Sequence, residues 1–293
     1  MLVAVTLVSP TPAALVAARH ALGPVLENVK GENALGPDVL DLHLENDDVV
    51  RLRAAVNAAL SEHPVDHCVQ PQEGRRKRLL VADMDSTIIS CECLDELADY
   101  AGVKAEIAAV TERAMRGELA FEPALRERVA RLKGLSLDTL QTCYDARVRL
   151  NPGAEQMVKT MTHHGARAVL VSGGFGFFTR RVAEAAGFSD HRGNTLLDDG
   201  ARLTGLVAEP ILGREAKLAA LMSEAASLGI TAEDVLAIGD GANDLAMIEA
   251  AGLGVAYRAK PVVAARAMAR VDHCDLTALL YFQGYRRADF AAI

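Results

Sequence analysis

Leu79-Leu80-Val81-Ala82-Asp83-Met84-Asp85-Ser86-Thr87 is the stretch on which the reading of the chain turns. Four apolar residues in a row, closed by a polar cluster, predict a short strand buried on both faces. Residues i and i+2 leaving a strand project to the same side, so Asp83 and Asp85 share one pocket. Two carboxylates together are costly unless a cation compensates them or one takes a proton. One acting as nucleophile and the other as general acid meets that constraint with separate roles. A plain polar turn has the same residue types, because Asp, Ser and Thr are common where strands end.

C-terminal to this stretch, residues from about 90 to 149 read as helices without a strand. The candidates are Cys93 to Tyr100, Ala105 to Arg116, Pro123 to Leu132 and Leu137 to Arg149, ended by Asn151-Pro152-Gly153. Strand and helix then alternate. Ala168 to Val171 predicts a strand, Phe175 to Ala186 a helix, and Thr195 to Val207 a hairpin turning at Asp198-Asp199-Gly200. The Arg214 to Leu228 helix, the Val235 to Ile238 strand and the Asn243 to Ala250 helix follow. This order predicts an α/β fold, a parallel sheet covered on both faces with a helical block inserted after its first strand.

N-terminal to the stretch, residues 1 to about 74 read as a separate small unit. Val3 to Val8 is β-rich, Pro10 to His20 is helical, and a second strand is placed near Val25 to Val29. Val39 to Leu44 alternates like a half-buried strand, Val49 to Leu60 is helical, and Val65 to Val69 closes the unit as a strand. The order β-α-β-β-α-β is that of a ferredoxin-like sandwich. Gln70 to Arg78 reads as linker, with the basic run Arg75-Arg76-Lys77-Arg78 expected in solvent.

Two further motifs fall at strand ends, where parallel sheets bind ligands. In Val171-Ser172-Gly173-Gly174-Phe175, Ser172 offers a hydroxyl and the glycines let backbone N–H groups approach an anion. A tight strand-to-helix turn favours the same residues. In Ile238-Gly239-Asp240-Gly241-Ala242-Asn243-Asp244-Leu245, Asp240 and Asp244 are hard oxygen ligands of the kind Mg²⁺ takes. An anionic nucleophile meeting a phosphate also needs fixed positive charge, for which Lys217 is the candidate and Arg214 an equal rival on sequence alone.

Composition narrows the field. The net charge of −8 argues against nucleic-acid binding, since an acidic surface repels a polyanion. The five cysteines include no CxxC pair and no Cys/His set with zinc spacing, so reduced thiols are expected. No run approaches the ~18 apolar residues of a membrane helix and no leader is visible, so a soluble cytoplasmic protein is expected.

The three motifs and Lys217, in this order, resemble the haloacid dehalogenase superfamily of phosphatases, and within it the phosphoserine phosphatases. The likeness covers roughly residues 79 to 285. It implies a Rossmann-like core over 75–293 with a helical cap over about 90–150. It also implies an Mg²⁺-dependent hydrolysis of phosphoserine through an aspartyl-phosphate, the last step of serine biosynthesis. Asp83 is then the nucleophile and Asp85 the general acid/base. Mg²⁺ is held by the carboxylates of Asp83 and Asp240 and the main-chain carbonyl of Asp85, with Asp244 behind them. Ser172, Gly173, Lys217 and Asn243 hold the phosphoryl oxygens. In the cap, Glu92 pairs with the substrate ammonium and Arg128 with its carboxylate, while Met115 and Phe121 exclude water. The unit over 1–74 resembles an ACT domain, with a regulatory role or homo-oligomer formation expected of it. Rival readings are a phosphotransferase, a phosphatase of another small monoester, and a ligand-sensing protein on an inactive phosphatase fold.

Overall fold

In the computed structural model of the protein, residues 1–26, 29–115 and 118–293 are described, Met115 by its backbone alone. The chain begins with β1 (Leu2–Val8), α1 (Pro12–Ala21), β2 (Val29–Gly36), β3 (Val39–Glu45), α2 (Val49–Ala59) and β4 (Asp66–Pro71). Thr11 starts α1 by accepting from the Ala14 N–H, with Pro12 in the first turn, and Asp48 starts α2 through Arg51 N–H. The four strands are antiparallel in the order β2-β3-β1-β4, which with this element order is ferredoxin-like.

Two expectations for this unit are corrected. The second strand starts at Val29, where it was expected to end; Glu27 and Asn28 lie outside the described residues. Its sequence, VKGENALG, is an edge strand with little apolar content, so hydrophobic pattern could not find it. Strand β3 is buried on both faces, not one: Val39, Asp41 and His43 are as covered as Leu42 and Leu44. Leu42 and Leu44 pack under α1 and α2, while the opposite face meets the C-terminal part of the chain.

β5 (Leu79–Ala82) is buried throughout, as its run of apolar residues requires. A sharp turn over Met84–Ile88 then leads into the helical block: α3 (Cys93–Tyr100), α4 (Lys104–Met115), α5 (Phe121–Ala130) and α6 (Leu137–Arg147). Next come α7 (Ala154–His163), β6 (Arg167–Phe175), α8 (Gly176–Ala186), β7 (Asp190–Asn194) and the hairpin β8 (Leu196–Asp198)–β9 (Leu203–Val207). The remainder is α9 (Arg214–Ser227), β10 (Val235–Gly239), α10 (Leu245–Ala250), β11 (Leu253–Tyr257), α11 (Pro261–Ala264), β12 (Ala269–Val271) and α12 (Ala278–Phe282).

Strands β12-β11-β10-β5-β6-β7 run parallel in that spatial order. From β5 the chain builds outward through β6 and β7, then returns to the other side of β5 for β10, β11 and β12. The crevice beyond the carboxyl ends of β5 and β10 is therefore the point where strand order reverses, the place such sheets bind ligands.

The two units share one sheet. Arg270 of β12 pairs with His67 of β4, so ten of the twelve described strands form one sheet, antiparallel at one end and parallel at the other, with the β8–β9 hairpin apart from it. The seam is heavily hydrogen-bonded. The buried Asp66 carboxylate accepts from the backbone N–H groups of Asp272, His273 and Cys274. Gln70 donates to the Phe282 carbonyl at 2.7 Å, and Gln283 Oε1 accepts from Lys77 N–H at 3.0 Å.

The basic run is only partly in solvent, which corrects the reading of the linker: Arg75 and Lys77 are folded in, while Arg76 and Arg78 stay exposed. Arg75 makes a two-pronged ion pair with Asp41, at 3.0 and 2.8 Å, with side-chain exposures of only 12% and 1%. Its guanidinium lies so close to Gly284 that any Cβ there would collide with it. Lys77 donates to the carbonyls of Gly74 and Glu233, and Arg76 stacks over the Tyr285 ring at 4.2 Å. Charge runs are usually solvated; here the carboxylate that captures one of them is thirty-four residues away. Removing one partner of a buried pair leaves the other charge uncompensated. Asp41→Ala is accordingly expected to cost about 3 kcal/mol of stability, read as a lower urea midpoint. A cost below about 1 kcal/mol would mean that Arg75 simply turns into water. Among the described residues, no helix is long and apolar enough to cross a membrane.

Candidate active site

Asp83 is the first residue beyond β5 and Asp240 the first beyond β10, two neighbouring strands whose ends bring both carboxylates to one crevice. The chain must then turn away at once. Ser86 adopts φ +55°, a conformation rarely taken by a residue with a side chain, and its hydroxyl reaches Glu92 Oε1 at 2.6 Å. The turn brings Asp85 to the same cavity as Asp83. Asp85 accepts from the Cys93 N–H at the start of α3 (2.9 Å) and from the Ser172 hydroxyl (3.2 Å). The loop after β6 is tightly fitted: a Cβ at Gly174 would stand 2.8 Å from Asp85 Oδ2. Gly174 N–H in turn donates to Ser172 Oγ.

Lys217 reaches up from α9 and is buried between two carboxylates, 2.6 Å from Asp83 Oδ1 and 2.5 Å from Asp244 Oδ1. Arg214, its rival on sequence, is exposed at the first position of the same helix. Asp244 spends its other oxygen on Gly241 N–H at 3.0 Å, which closes the loop after β10. Oxygens of Asp83, Asp240 and Asp244 lie within 4.8 Å of one another.

Three carboxylates around one ammonium leave an excess of negative charge, and the titration of Asp83 and Asp240 reflects it. Burial, then the Asp244 charge, push Asp83 well above the usual carboxylate range against the pull of Lys217. Burial and Asp244 push Asp240 up to about 6. Burial, then Glu92, push Asp85 up to about 6, opposed by the Cys93 N–H. Burial alone would lower Lys217, but Asp83 and Asp244 outweigh it and hold the ammonium charged. A divalent cation fits this donor set. Asp83 and Asp240 each keep an oxygen not claimed by Lys217 or a backbone N–H among the described residues, whereas both Asp244 oxygens are engaged.

The cap forms the far wall. Glu92, Phe121 and Arg128 line a cavity of about 330 Å³ together with Asp83, Asp85, Ser172, Gly173, Asp240 and Asn243. Arg128 donates through Nε to the Ala124 carbonyl one turn back on α5, and burial depresses its pKa. Glu92 is close enough to act on its charge, yet no ion pair joins the two among the described residues. The Phe121 ring approaches both Gly173 and Gly213. The Met115 side chain lies outside the described residues.

The haloacid dehalogenase-like hydrolase family matches residues 80–249, more than half of the chain. The chain belongs to that family. This hydrolase is 46% identical over 208 residues to a phosphoserine phosphatase of Polaromonas sp. strain JS666, an overlap of 69% of the chain and 88% of the relative. Its fold is similar to that of a HAD family hydrolase from Salmonella enterica serovar Typhi, with TM-score 0.87 and 27% identity over 96% of the chain and 98% of the other. It is also similar to a probable phosphoserine phosphatase from Vibrio cholerae, with TM-score 0.79 and 30% identity over 98% and 88%.

Some residues that shape the site of this hydrolase escaped the sequence reading. Thr87 is buried and its hydroxyl lies 3.4 Å from Asp240 Oδ1. The Ser-Thr pair after Asp85 was a usable signal for it. Asn194, at the end of β7, donates to the carbonyls of Gly173 and Leu212 and accepts from Leu212 N–H. It fixes the glycine loop against the segment before α9, and nothing in DHRGN announces that task.

Proposed function

We propose that the protein is an Mg²⁺-dependent phosphatase that hydrolyses O-phosphoserine through an aspartyl-phosphate on Asp83. The observation that carries this reading is a single cavity lined by two chemically distinct sets of residues. Asp83, Asp85, Ser172, Gly173 and Asp240 enter it from the strand ends, while Glu92 and Arg128 enter it from the helical block. The first suits a phosphoryl group, the second an ammonium and a carboxylate on one carbon. The phosphoserine phosphatase names of similar proteins support the same substrate.

On this reading the phosphate sits against Ser172, the Gly173 N–H and Asn243. Asp83 attacks phosphorus in line while Asp85, protonated, gives its proton to the leaving serine oxygen. A carboxyl held near 6 by burial is suited to that exchange at neutral pH. Asp85 then takes a proton from water as it attacks the phosphoaspartate. Lys217 keeps Asp83 oriented and offsets its charge. Mg²⁺, bound by Asp83, Asp240 and the Asp85 carbonyl, supplies positive charge toward the phosphoryl oxygens. Phe121 covers the glycine loop and limits entry of bulk water.

Chelation is expected to stop turnover and Mg²⁺ to restore it. Ca²⁺ should bind without supporting comparable turnover, because its looser coordination misplaces nucleophile and phosphorus. Phosphate release from phosphoserine, measured in chelator and after each addition, tests this; undiminished turnover in excess chelator would refute the metal requirement.

A further inference from the structure

A phosphate monoester is a dianion, and the strand-end side of the cavity is lined by acids. Lys217, the cation beneath them, is buried and already shared between Asp83 and Asp244. Arg128 enters from the helical block. Among the described residues, the remaining cation lining the cavity is Lys260, beside Asp240, Gly241 and Asn243. Its side chain is exposed, and no carboxylate lies within ion-pair distance of it among the described residues. Its backbone is held in place. Lys260 N–H donates to the Asp240 carbonyl at 3.1 Å, and its own carbonyl accepts from Val263 and Ala264 as α11 begins. It lies three residues beyond the end of β11, so it stands past the carboxyl end of a third parallel strand, the one paired with β10.

We infer that Lys260 is a specificity-determining residue for the charge of the substrate: its ammonium meets the phosphoryl dianion at the mouth and favours its entry past the acids. This role presupposes that the cavity takes a phosphate ester. An exposed lysine acts through solvent, so its influence is screened by salt and falls on binding more than on the chemical step.

The test compares wild type, Lys260→Gln and Lys260→Arg with Mg²⁺ present, at low salt and at about 0.5 M salt, where the Debye length is roughly 4 Å. Two quantities are measured: kcat and KM for phosphoserine, and the affinity for inorganic phosphate by calorimetry. At low salt, Lys260→Gln should lower kcat/KM and weaken phosphate binding by roughly five- to tenfold. The loss should lie in KM, shrink at high salt, and be restored by Lys260→Arg. A loss equal at both salts, carried by kcat, or unrepaired by Arg overturns the role. Wild type that binds phosphate but leaves phosphoserine intact would refute the proposed activity, and the phosphate affinities would then decide Lys260 alone. Wild type that binds no phosphate overturns both.

Discussion

Asp83→Asn is expected to lower phosphoserine turnover by roughly 10⁴-fold or more, because an amide cannot form the acyl phosphate. The fold should survive the change. Lys217 keeps Asp244 as a buried partner at 2.5 Å, and the variant removes a buried carboxylate that burial and Asp244 already push well above the usual range. The check is phosphate release beside a thermal melt. A variant that melts like wild type and still turns over at a substantial rate would remove Asp83 from the role of nucleophile.

Arg128→Ala should separate the two sets of residues that line the cavity. A substrate carboxylate left unpaired in a desolvated site costs roughly 2–5 kcal/mol. Each 1.4 kcal/mol is about tenfold, so kcat/KM for phosphoserine should fall tens- to thousands-fold. Nitrophenyl phosphate carries no carboxylate and should lose far less. Equal losses on the two substrates would assign Arg128 to the cap fold or to the phosphate, and phosphoserine would no longer be the preferred reading. Arg128 makes this test clean because its described hydrogen bond is to its own helix, through Nε, which leaves the guanidinium tip to the cavity.

What could be read from sequence follows from where each residue's partners are. β5 and β10 were legible because strands buried on both faces write themselves as apolar runs. Asp83, Asp85, Asp240 and Asp244 could be picked out because they cluster in sequence just beyond two strand ends. β2 and β7 lie at the rims of the sheet and carry Lys30, Glu32, Asp190 and Arg192, so their pairing left no hydrophobic trace. β12 has three residues, and β11 is preceded by Gly252 and interrupted by Gly254, which reads as a turn. Arg75 and Asn194 were illegible for another reason. Their partners, Asp41 and Leu212, are thirty-four and eighteen residues away, and no local pattern encodes such meetings. Lys217 could be told from Arg214 only once the phase of α9 was known.

The pairing of β4 with β12 also covers two strand edges that would otherwise be open. A sheet rim with unpaired N–H and C=O groups is a template on which another chain can add a strand. Joining the two units hides one such rim on each. The rims left open are β2, charged and interrupted by two register shifts, and β7, which presents Asp190, His191 and Arg192. Both are poor templates. A chain beginning at Arg75 keeps every residue proposed for the chemistry, yet it leaves β12 bare, with Ala269 and Val271 no longer backed by β4 and its neighbours. The N-terminal strands thus cover an edge that the parallel sheet alone would leave open to another strand.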